Sequence, residues 1–141
     1  MMCYMTGWLS RLFKPLMKEV PAPKTPLGER GENVAAKFVR HELGYRILTR
    51  NFRVESGEID IIARDKDTLV FIEVKTRAYD DPTPEEQVNH HKQNQITRAA
   101  KVFLSRYGGR PRARFDIVGI VWPTGQKPII RHTQSAFEAT Y

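Results

Sequence analysis

Residues 57–77, with the sequence GEIDIIARDKDTLVFIEVKTR, decide the fold of this chain because they predict two paired strands. Two apolar runs rich in β-branched residues, Ile59–Ala63 and Leu69–Val74, flank the polar segment Asp65–Thr68. Such runs on either side of a short polar turn are typical of a β-hairpin. We therefore predict that the chain reverses direction within residues 65–68.

The position of this turn also predicts which residues of the hairpin oppose each other. A two-residue turn at the centre of the polar segment places Asp60 opposite Glu73, and Glu58 opposite Lys75. Because side chains alternate along a strand, these four residues are predicted to project to one face of the hairpin. The opposite face is predicted to carry four apolar residues: Ile59, Ile61, Ile72 and Val74.

The opposed acids Asp60 and Glu73 predict a cation site. Directly opposed Cβ atoms lie about 4.5–5.5 Å apart, so two ionised carboxylates repel unless a cation lies between them or one keeps its proton. Hard oxygen ligands suit Mg²⁺ or Mn²⁺, which also bind phosphate oxygens. Lys75, on the same face, is placed to activate a water and to offset charge at phosphorus. A solvated strand face is the alternative, but the apolar neighbours of these acids disfavour it.

The spacing of these residues resembles a known nuclease motif. An aspartate, twelve intervening residues and Glu-x-Lys resemble the core motif of the PD-(D/E)XK nuclease superfamily, with Ile59 where that motif usually has proline. The segments GERGENVAAKF, GEIDIIARD, FIEVKTR and RFDIVGI look like the small bacterial YraN-type proteins, relatives of archaeal Holliday-junction resolvases. This resemblance covers roughly Leu27–His132, and it implies a restriction-endonuclease-like core and a homodimer that cuts two strands symmetrically.

Glu32 is a further candidate for the site. Apolar spacing predicts a helix over Gly28–Leu43, and Glu32 lies at the edge of its apolar stripe, where it can point toward the hairpin. The resemblance to the resolvases implies that a glutamate here completes the metal site. An acid favoured by the helix macrodipole is the alternative, and Glu29 serves that role equally well.

The composition favours one globular domain with a polyanionic partner. The chain has 141 residues, of which 40% are hydrophobic and 28% charged, so the disordered and membrane-embedded classes are excluded. Lys and Arg number 23 against 16 Asp and Glu, and the net charge of +7 points to nucleic acid. The single cysteine, Cys3, excludes an internal disulfide and favours a cytoplasmic location.

Residues 1–26 are predicted to be an appendage that precedes a nuclease-like domain over residues 27–136. Apolar residues between Trp8 and Met17 have helical spacing, and prolines at positions 21, 23 and 26 end the pattern. The segment has neither the apolar core of a signal peptide nor the roughly 20 apolar residues of a membrane span. Two interpretations stay open, a short amphipathic helix that touches a membrane or a partner and a frayed helix on a linker.

The rest of the pattern predicts one strand before the hairpin and a helix with two strands after it. Tyr45–Val54 is the first strand, a long helix runs from Pro84 to Tyr107, and Arg114–Trp122 and a shorter Lys127–His132 are the last strands. The order α-β-β-β-α-β-β predicts an α/β domain with a mixed sheet of about five strands. The connection through the long helix can return the chain parallel to an earlier strand.

Lys92 and Gln95 of the long helix are candidates for contact with a phosphate or a metal-bound water. Lys92 interrupts the apolar stripe of this helix and Gln95 borders it, and the nucleases that the chain resembles often place a lysine or glutamine there. A side chain that extends past the edge of the core is the alternative. His90 and His91 diverge by about 100° on a helix, so they cannot chelate one ion together and are predicted to lie at the surface.

The basic residues between Ile96 and Phe115 predict a nucleic-acid contact. Six of them occur there without an acid: Arg98, Lys101, Arg106, Arg110, Arg112 and Arg114. The four arginines of residues 106–114 suit bidentate phosphate contacts. A solvated helix face is the alternative for the two basic residues at positions 98 and 101. Asp116, in the following strand, is predicted to be either a third metal carboxylate or, more commonly, a buried acid paired with an arginine or an amide.

Together these patterns predict a Mg²⁺- or Mn²⁺-dependent phosphodiesterase that acts on DNA. Asp60 and Glu73 are the predicted metal ligands, Lys75 lies beside the nucleophilic water, and Glu32 is a supporting acid. A DNA- or RNA-binding module that keeps the nuclease scaffold without cleavage is the first alternative. A membrane-surface adaptor is the second, and it leaves the carboxylate pair unexplained.

Overall fold

Eight helical and strand elements span residues 24–139, the part of the chain that the computed structural model describes. They are helix α1 (Pro26–His41), strands β1 (Arg46–Val54), β2 (Gly57–Asp65) and β3 (Thr68–Arg77), a 3₁₀ turn (Glu85–Gln87), helix α2 (His90–Tyr107), and strands β4 (Arg112–Val121) and β5 (Ile129–Phe137). The amphipathic pattern predicted for residues 8–17 lies outside the described residues. Between residues 24 and 139, neither helix has the length and apolar character needed to cross a membrane.

The five strands form one mixed sheet, as the sequence predicts. Their order in the sheet is β1-β2-β3-β4-β5, and only β3 and β4 run parallel to each other. The parallel pair arises because the chain leaves β3, passes through α2 and returns to the same edge of the sheet before β4. The predicted α/β fold class and element order are therefore confirmed.

The two helices cover opposite faces of this sheet. In β3, Val70, Ile72 and Val74 pack in one apolar cluster with α1, whereas Leu69 and Phe71 pack in a second cluster with α2. Alternating residues of one strand thus supply both layers of the core. The carboxyl end of β3 lies between the helices, and this position brings residues from both of them toward the same end of the hairpin.

Two glycines let the helices approach the hairpin at van der Waals distance. A Cβ added at Gly31 of α1 would lie 1.8 Å from Thr76 Oγ1, and one added at Gly57 of β2 would lie 2.1 Å from the Gln95 carbonyl oxygen of α2. Both positions therefore exclude any side chain. The two close approaches place α1 against the end of β3 and α2 against the start of β2.

The hairpin has the predicted register, but its backbone pairing stops early. Pairs run from Asp65–Thr68 to Ile61–Ile72 and end there, so neither the predicted pair of Asp60 and Glu73 nor that of Glu58 and Lys75 is formed. The predicted common face is also wrong for one residue. Ile59 packs in the α2 cluster, while Ile61 packs in the α1 cluster.

An unusual backbone conformation in β1 lies opposite the point at which β2 changes face. Strand β1 pairs with β2 through Arg50–Ile61 and Phe52–Ile59, and Asn51 between them has a φ of 53°. This left-handed residue therefore lies opposite Asp60, the predicted metal ligand. The register shift between the two strands lies further along, between Ile47 and Thr49.

The start of α2 differs from the sequence prediction. A helix beginning at Pro84 is wrong, because Glu85–Gln87 form a separate 3₁₀ turn and Val88 has a φ of −83° and a ψ of 71°. The side chain of Asn89 then caps α2 by accepting a hydrogen bond from the Lys92 N–H at 3.1 Å. This cap determines the position at which the Lys92 side chain leaves the helix.

Strand β5 is longer than predicted. The strand expected over Lys127–His132 runs over Ile129–Phe137 and pairs with β4 as far as Phe115–Phe137. Residues 133–135 of β5 are polar and exposed, because β5 is an edge strand of the sheet. Edge strands lack the apolar alternation by which a half-buried strand is recognised in a sequence.

Candidate functional site

The candidate site lies where the backbone pairing of the hairpin ends. Beyond the last pair, Ile61–Ile72, the Val74 N–H donates a hydrogen bond to Asp60 Oδ2 at 2.8 Å. The side chain of Asp60 thus replaces a carbonyl group as the acceptor between the two strands. This contact buries Asp60, which is 5% exposed, and directs its second oxygen, Oδ1, away from β3.

Glu73, the second predicted ligand, is also buried beside Asp60. It is 5% exposed, its Oε1 lies 3.4 Å from Lys92 Nζ, and its Oε2 has no hydrogen-bond partner among residues 24–139. Burial, followed by the charge of Asp60, raises the pKa of Glu73 well above its usual range, and Lys92 only partly offsets this. The two acids thus interact, although they do not form the predicted cross-strand pair.

A lysine occupies the space between the acids of the site. Lys24 Nζ lies 3.1 Å from Asp60 Oδ1 and 2.9 Å from Glu58 Oε1, and it also donates a hydrogen bond to Glu32 Oε1. It donates a further hydrogen bond to Asn51 Oδ1 at 2.7 Å. Groups from α1, β1 and β2 therefore converge on one ammonium.

The charges of this cluster alter each other's protonation. Burial alone lowers the pKa of Lys24, but Asp60 and its hydrogen-bonded carboxylates outweigh burial and raise that pKa above its ordinary value. Burial raises the pKa of Glu32, although the hydrogen bond from Lys24 opposes the increase. Glu32 is 8% exposed and points to the hairpin, as one of its two sequence interpretations expects.

An open groove of about 580 Å³ runs over these acids. Lys75, Lys92 and Gln95 line it together with Asp60 and Glu73. The side chain of Lys92 is 34% exposed to the groove, and its ammonium contacts Glu73. All residues predicted to act on a phosphate near the metal are therefore collected in one groove.

The ligand atoms around Asp60 and Glu73 fit a hard divalent cation. They are carboxylate oxygens, which Mg²⁺ and Mn²⁺ prefer, and the buried Glu73 Oε2 lacks a partner. Between residues 24 and 139, no three carboxylate, imidazole or thiol groups converge in a metal-binding arrangement. Mg²⁺ often binds through one or two carboxylates and completes its shell with water, so this pair meets its needs.

The predicted phosphate-binding residues divide into two groups. Four of them are exposed on α2 or in the chain that follows it: Arg98, Lys101, Arg110 and Arg112. Arg114 differs, because its side chain is 13% exposed and its guanidinium is engaged inside the domain. The structure thus leaves the first group at the surface and places Arg114 in the interior.

Arg114 holds a buried network rather than a surface contact. It donates hydrogen bonds from Nε to Asp116 Oδ1 at 3.0 Å, from Nη1 to Asp65 Oδ2 at 3.1 Å and from Nη2 to the Tyr45 hydroxyl at 2.8 Å. Asp116, which is fully buried, also accepts a hydrogen bond from the Ser135 N–H at 3.0 Å. The interpretation of Asp116 as a buried acid paired with an arginine is confirmed.

Several residues of the groove and the acidic cluster are absent from the sequence prediction of the site. Lys24 contacts the acids, Asn51 contacts Lys24, and the exposed His91, predicted to lie at the surface, lines the groove. Lys24 immediately precedes Thr25, whose side chain caps α1 by accepting a hydrogen bond from the Gly28 N–H at 3.1 Å. Glu32, which Lys24 reaches, lies about two turns into the same helix, so sequence spacing gives only a weak signal for this contact.

Comparison with known proteins places the chain in a family. Residues 31–120 match the family described as "Uncharacterised protein family UPF0102". A UPF0102 protein of Geobacter sulfurreducens is 46% identical over 119 residues, which cover 82% of this chain and 91% of that protein. One of Symbiobacterium thermophilum is 44% identical over 117 residues, covering 80% and 97%. One of Nocardia farcinica is 40% identical over 116 residues, covering 81% and 91%. The chain therefore belongs to the UPF0102 family.

Proposed function

We propose that this protein is a Mg²⁺- or Mn²⁺-dependent phosphodiesterase that hydrolyses DNA. One observation carries the proposal: the adjacent buried acids Asp60 and Glu73 lie at the floor of an open groove, and Glu73 Oε2 has no hydrogen-bond partner among residues 24–139. Burial of two acids side by side is costly for a purely structural arrangement. A cation-binding role accounts for that cost.

Asp60 and Glu73 are the residues that would hold the metal. When bound, the ion would supply Lewis acidity at a phosphate oxygen and lower the pKa of a bound water. Asp60 is oriented for this role by the Val74 N–H, which engages Oδ2 and leaves Oδ1 toward the groove. Glu32 stands behind the site and contributes negative charge that favours a cation.

The lysines of the groove would act on the phosphate and the attacking water. Lys75 lies two residues after Glu73 on β3 and lines the same groove, so its ammonium would orient the water and offset the charge that develops at phosphorus. Lys92 pairs with Glu73 and is held at the first turn of α2 by the Asn89 cap. Together with Gln95, it would bind the phosphate next to the cleaved bond.

Charge and exposure support a nucleic acid as the substrate. The chain has a net charge of +7, and exposed basic residues continue from α2 into the segment before β4. Such a surface binds a phosphate backbone without reading sequence. DNA is the substrate that the resemblance to the PD-(D/E)XK nucleases implies, and a cytoplasmic location would bring the protein to it.

Cleavage of defined substrates tests the proposal. Branched, duplex and single-stranded DNA, and matching RNA, are incubated with the protein in Mg²⁺ or Mn²⁺. Cleavage is expected to fall by about 100-fold or more in each of three variants: Asp60→Asn, Glu73→Gln and Lys75→Ala. The Lys75→Ala variant should nevertheless keep most of its affinity for the nucleic acid. Lys127→Ala, an exposed lysine before β5, is the control and should cleave normally. Sedimentation with a branched substrate would test for the paired copies that symmetric cutting requires.

A nucleic-acid-binding module without cleavage is the second candidate. The position of Lys24 among Glu32, Glu58 and Asp60 favours it, because an ammonium already balances part of the acidic charge. Binding of DNA by the wild type without cleavage of any substrate in either metal would establish this function in place of the first.

A further inference from the structure

Lys24 contacts the one oxygen of Asp60 that remains for a metal. Asp60 Oδ2 accepts the hydrogen bond from the Val74 N–H at 2.8 Å, and Asp60 Oδ1 lies 3.1 Å from Lys24 Nζ. Oδ1 is therefore the oxygen of Asp60 that a further cation reaches without crowding the Val74 N–H. A divalent ion bound to Oδ1 would lie close to the Lys24 ammonium, and the two positive charges would repel each other.

Four oxygen atoms of the described residues contact the ammonium of Lys24. They are Glu32 Oε1, Glu58 Oε1, Asp60 Oδ1 and Asn51 Oδ1, and they are arranged to hold an ammonium rather than a metal ion. The side chain of Lys24 is 20% exposed, and that of Asp60 is 6% exposed. Arg53 Nε lies 3.2 Å from Glu58 Oε2, so the guanidinium and the Lys24 ammonium together offset part of the negative charge of the three carboxylates. A divalent ion in place of the ammonium would offset more of that charge.

We propose that Lys24 is an intramolecular competitor of the divalent cation, so that this one side chain regulates metal loading of the site. The proposal rests on the proposed function, since it concerns the same carboxylates. It makes metal binding an exchange of cations: the ammonium leaves Asp60 Oδ1 and the divalent ion replaces it. In the metal-free protein, the Lys24 ammonium then offsets part of the negative charge of the carboxylates.

The structure provides a path for this exchange without unfolding. The backbone next to Lys24 is anchored by the Thr25 cap on α1, whereas the lysine side chain has four rotatable bonds. A second groove of about 540 Å³ also contains Lys24 in its lining, together with Glu29, Asn33, Arg50 and Arg53. Rotation of the lysine side chain can move the ammonium off Asp60 Oδ1 while the Thr25 cap and α1 stay in place.

Calorimetric titration of the full chain with Mn²⁺ tests the competition directly. Lys24→Met keeps an unbranched apolar side chain and removes the charge, so it should bind Mn²⁺ about tenfold more tightly than the wild type. Lys37→Met is the matched control, because Lys37 is an exposed lysine of α1, and it should bind like the wild type. Without metal, Lys24→Met should melt at a lower temperature than the wild type, and Mn²⁺ should restore most of the loss.

A second variant keeps the proposal testable if Lys24→Met does not fold. Asn51→Gly removes the amide oxygen that holds Lys24 and tolerates the φ of 53° at this position. It leaves all carboxylates in place, so Mn²⁺ should bind a few-fold more tightly than to the wild type.

The outcomes separate this proposal from the proposed function. Tighter Mn²⁺ binding by both variants supports the competition. Equal or weaker binding than in the wild type overturns the competition and leaves the metal site standing. Absence of Mn²⁺ binding in the wild type and in every variant overturns both the metal site and the role of Lys24.

Discussion

Val74 of β3 donates its backbone N–H to the carboxylate of Asp60 on β2 at 2.8 Å, just beyond the last backbone pair of the hairpin. The hydrogen bond that continues the sheet and the proposed metal ligand thus involve the same side chain. Asp60 serves the fold through Oδ2 and is available to a cation through Oδ1. Substitutions at this position consequently affect stability and binding through different atoms.

Asp60→Ala is expected to lower stability more than Asp60→Asn. Alanine leaves the buried Val74 N–H without an acceptor, which costs about 1–3 kcal/mol, whereas asparagine keeps an oxygen there. Both variants lose the negative charge beside Lys24, so the difference between them isolates the hydrogen bond. Urea unfolding in the presence of a chelator measures it, and equal stability of the two variants would contradict the assigned contact.

Glu73→Gln is expected to stabilise the metal-free protein at pH 8 and to have no such effect at pH 4. Burial and Asp60 raise the pKa of Glu73 above its ordinary value of 4.5, so the folded state holds this proton more tightly than the unfolded state. The contribution of Glu73 to stability is complete below pH 4.5 and is lost as the pH rises through the raised pKa. Glutamine removes that loss, and the melting temperature at pH 8 should rise by roughly 2–5 °C.

Thermal melts in chelator over this pH range measure the effect of Glu73→Gln. Glu138→Gln, at an exposed position after β5, is the control and should melt like the wild type throughout. A lower melting temperature of Glu73→Gln at pH 8 would mean that the ion pair with Lys92, at 3.4 Å, outweighs the burial of the charge.

Gly31→Ala is expected to destabilise the domain by about 2 kcal/mol or more, because its Cβ would overlap Thr76 Oγ1 at 1.8 Å. Gly28→Ala is the comparison in the same helix and should cost much less, since its Cβ would meet Thr25 Oγ1 at 3.2 Å, a contact that a shift of a few tenths of an ångström relieves. Thermal melting of both variants makes the comparison. Equal melting temperatures would show that α1 does not pack on β3 at this distance.

Neutralising Arg110 and Arg112 is expected to weaken DNA binding without a loss of stability, because both side chains are exposed. The slope of log affinity against log salt should fall by about 0.9 for each phosphate contact removed. Arg114→Gln should instead destabilise the fold by about 3 kcal/mol, since it removes the guanidinium beside the buried Asp116 and leaves only His132 and the Ser135 N–H as its partners. Fluorescence anisotropy at several salt concentrations measures the loss of binding, and thermal melting measures the loss of stability. Unchanged DNA binding after both exposed arginines are replaced would mean that the nucleic acid binds at a different surface of the domain.

Local patterns were sufficient to predict the hairpin and the order of elements along the chain. Polar residues at 65–68 locate the turn, and the register from Asp65–Thr68 to Ile61–Ile72 follows from that turn alone. Beyond this register the side chain of Asp60 binds the Val74 N–H, a contact that the turn does not predict. These features depend on residues close in the chain, where turn chemistry and alternation are strong signals.

Features that depend on distant contacts could not be predicted in the same way. Lys24 reaches Asn51 and Asp60, which lie 27 and 36 positions along the chain, and no local pattern records such a contact. The interior position of Arg114 depends on Asp65 and Tyr45 from other strands. Charge density in the sequence does not distinguish an exposed arginine from one that is paired inside the domain.

The face change of β2 at Asp60 has a consequence for how the site is kept in alignment. Ile59 packs in the layer under α2 and Ile61 packs in the layer under α1. The backbone of Asp60, which lies between them, is therefore anchored on both faces of the sheet. A substitution that shrinks or enlarges either layer displaces the same carboxylate, in opposite directions. A substitution in one layer that shifts the Asp60 carboxylate should therefore be compensated by a substitution in the other layer that shifts it back, although the two substituted residues do not touch.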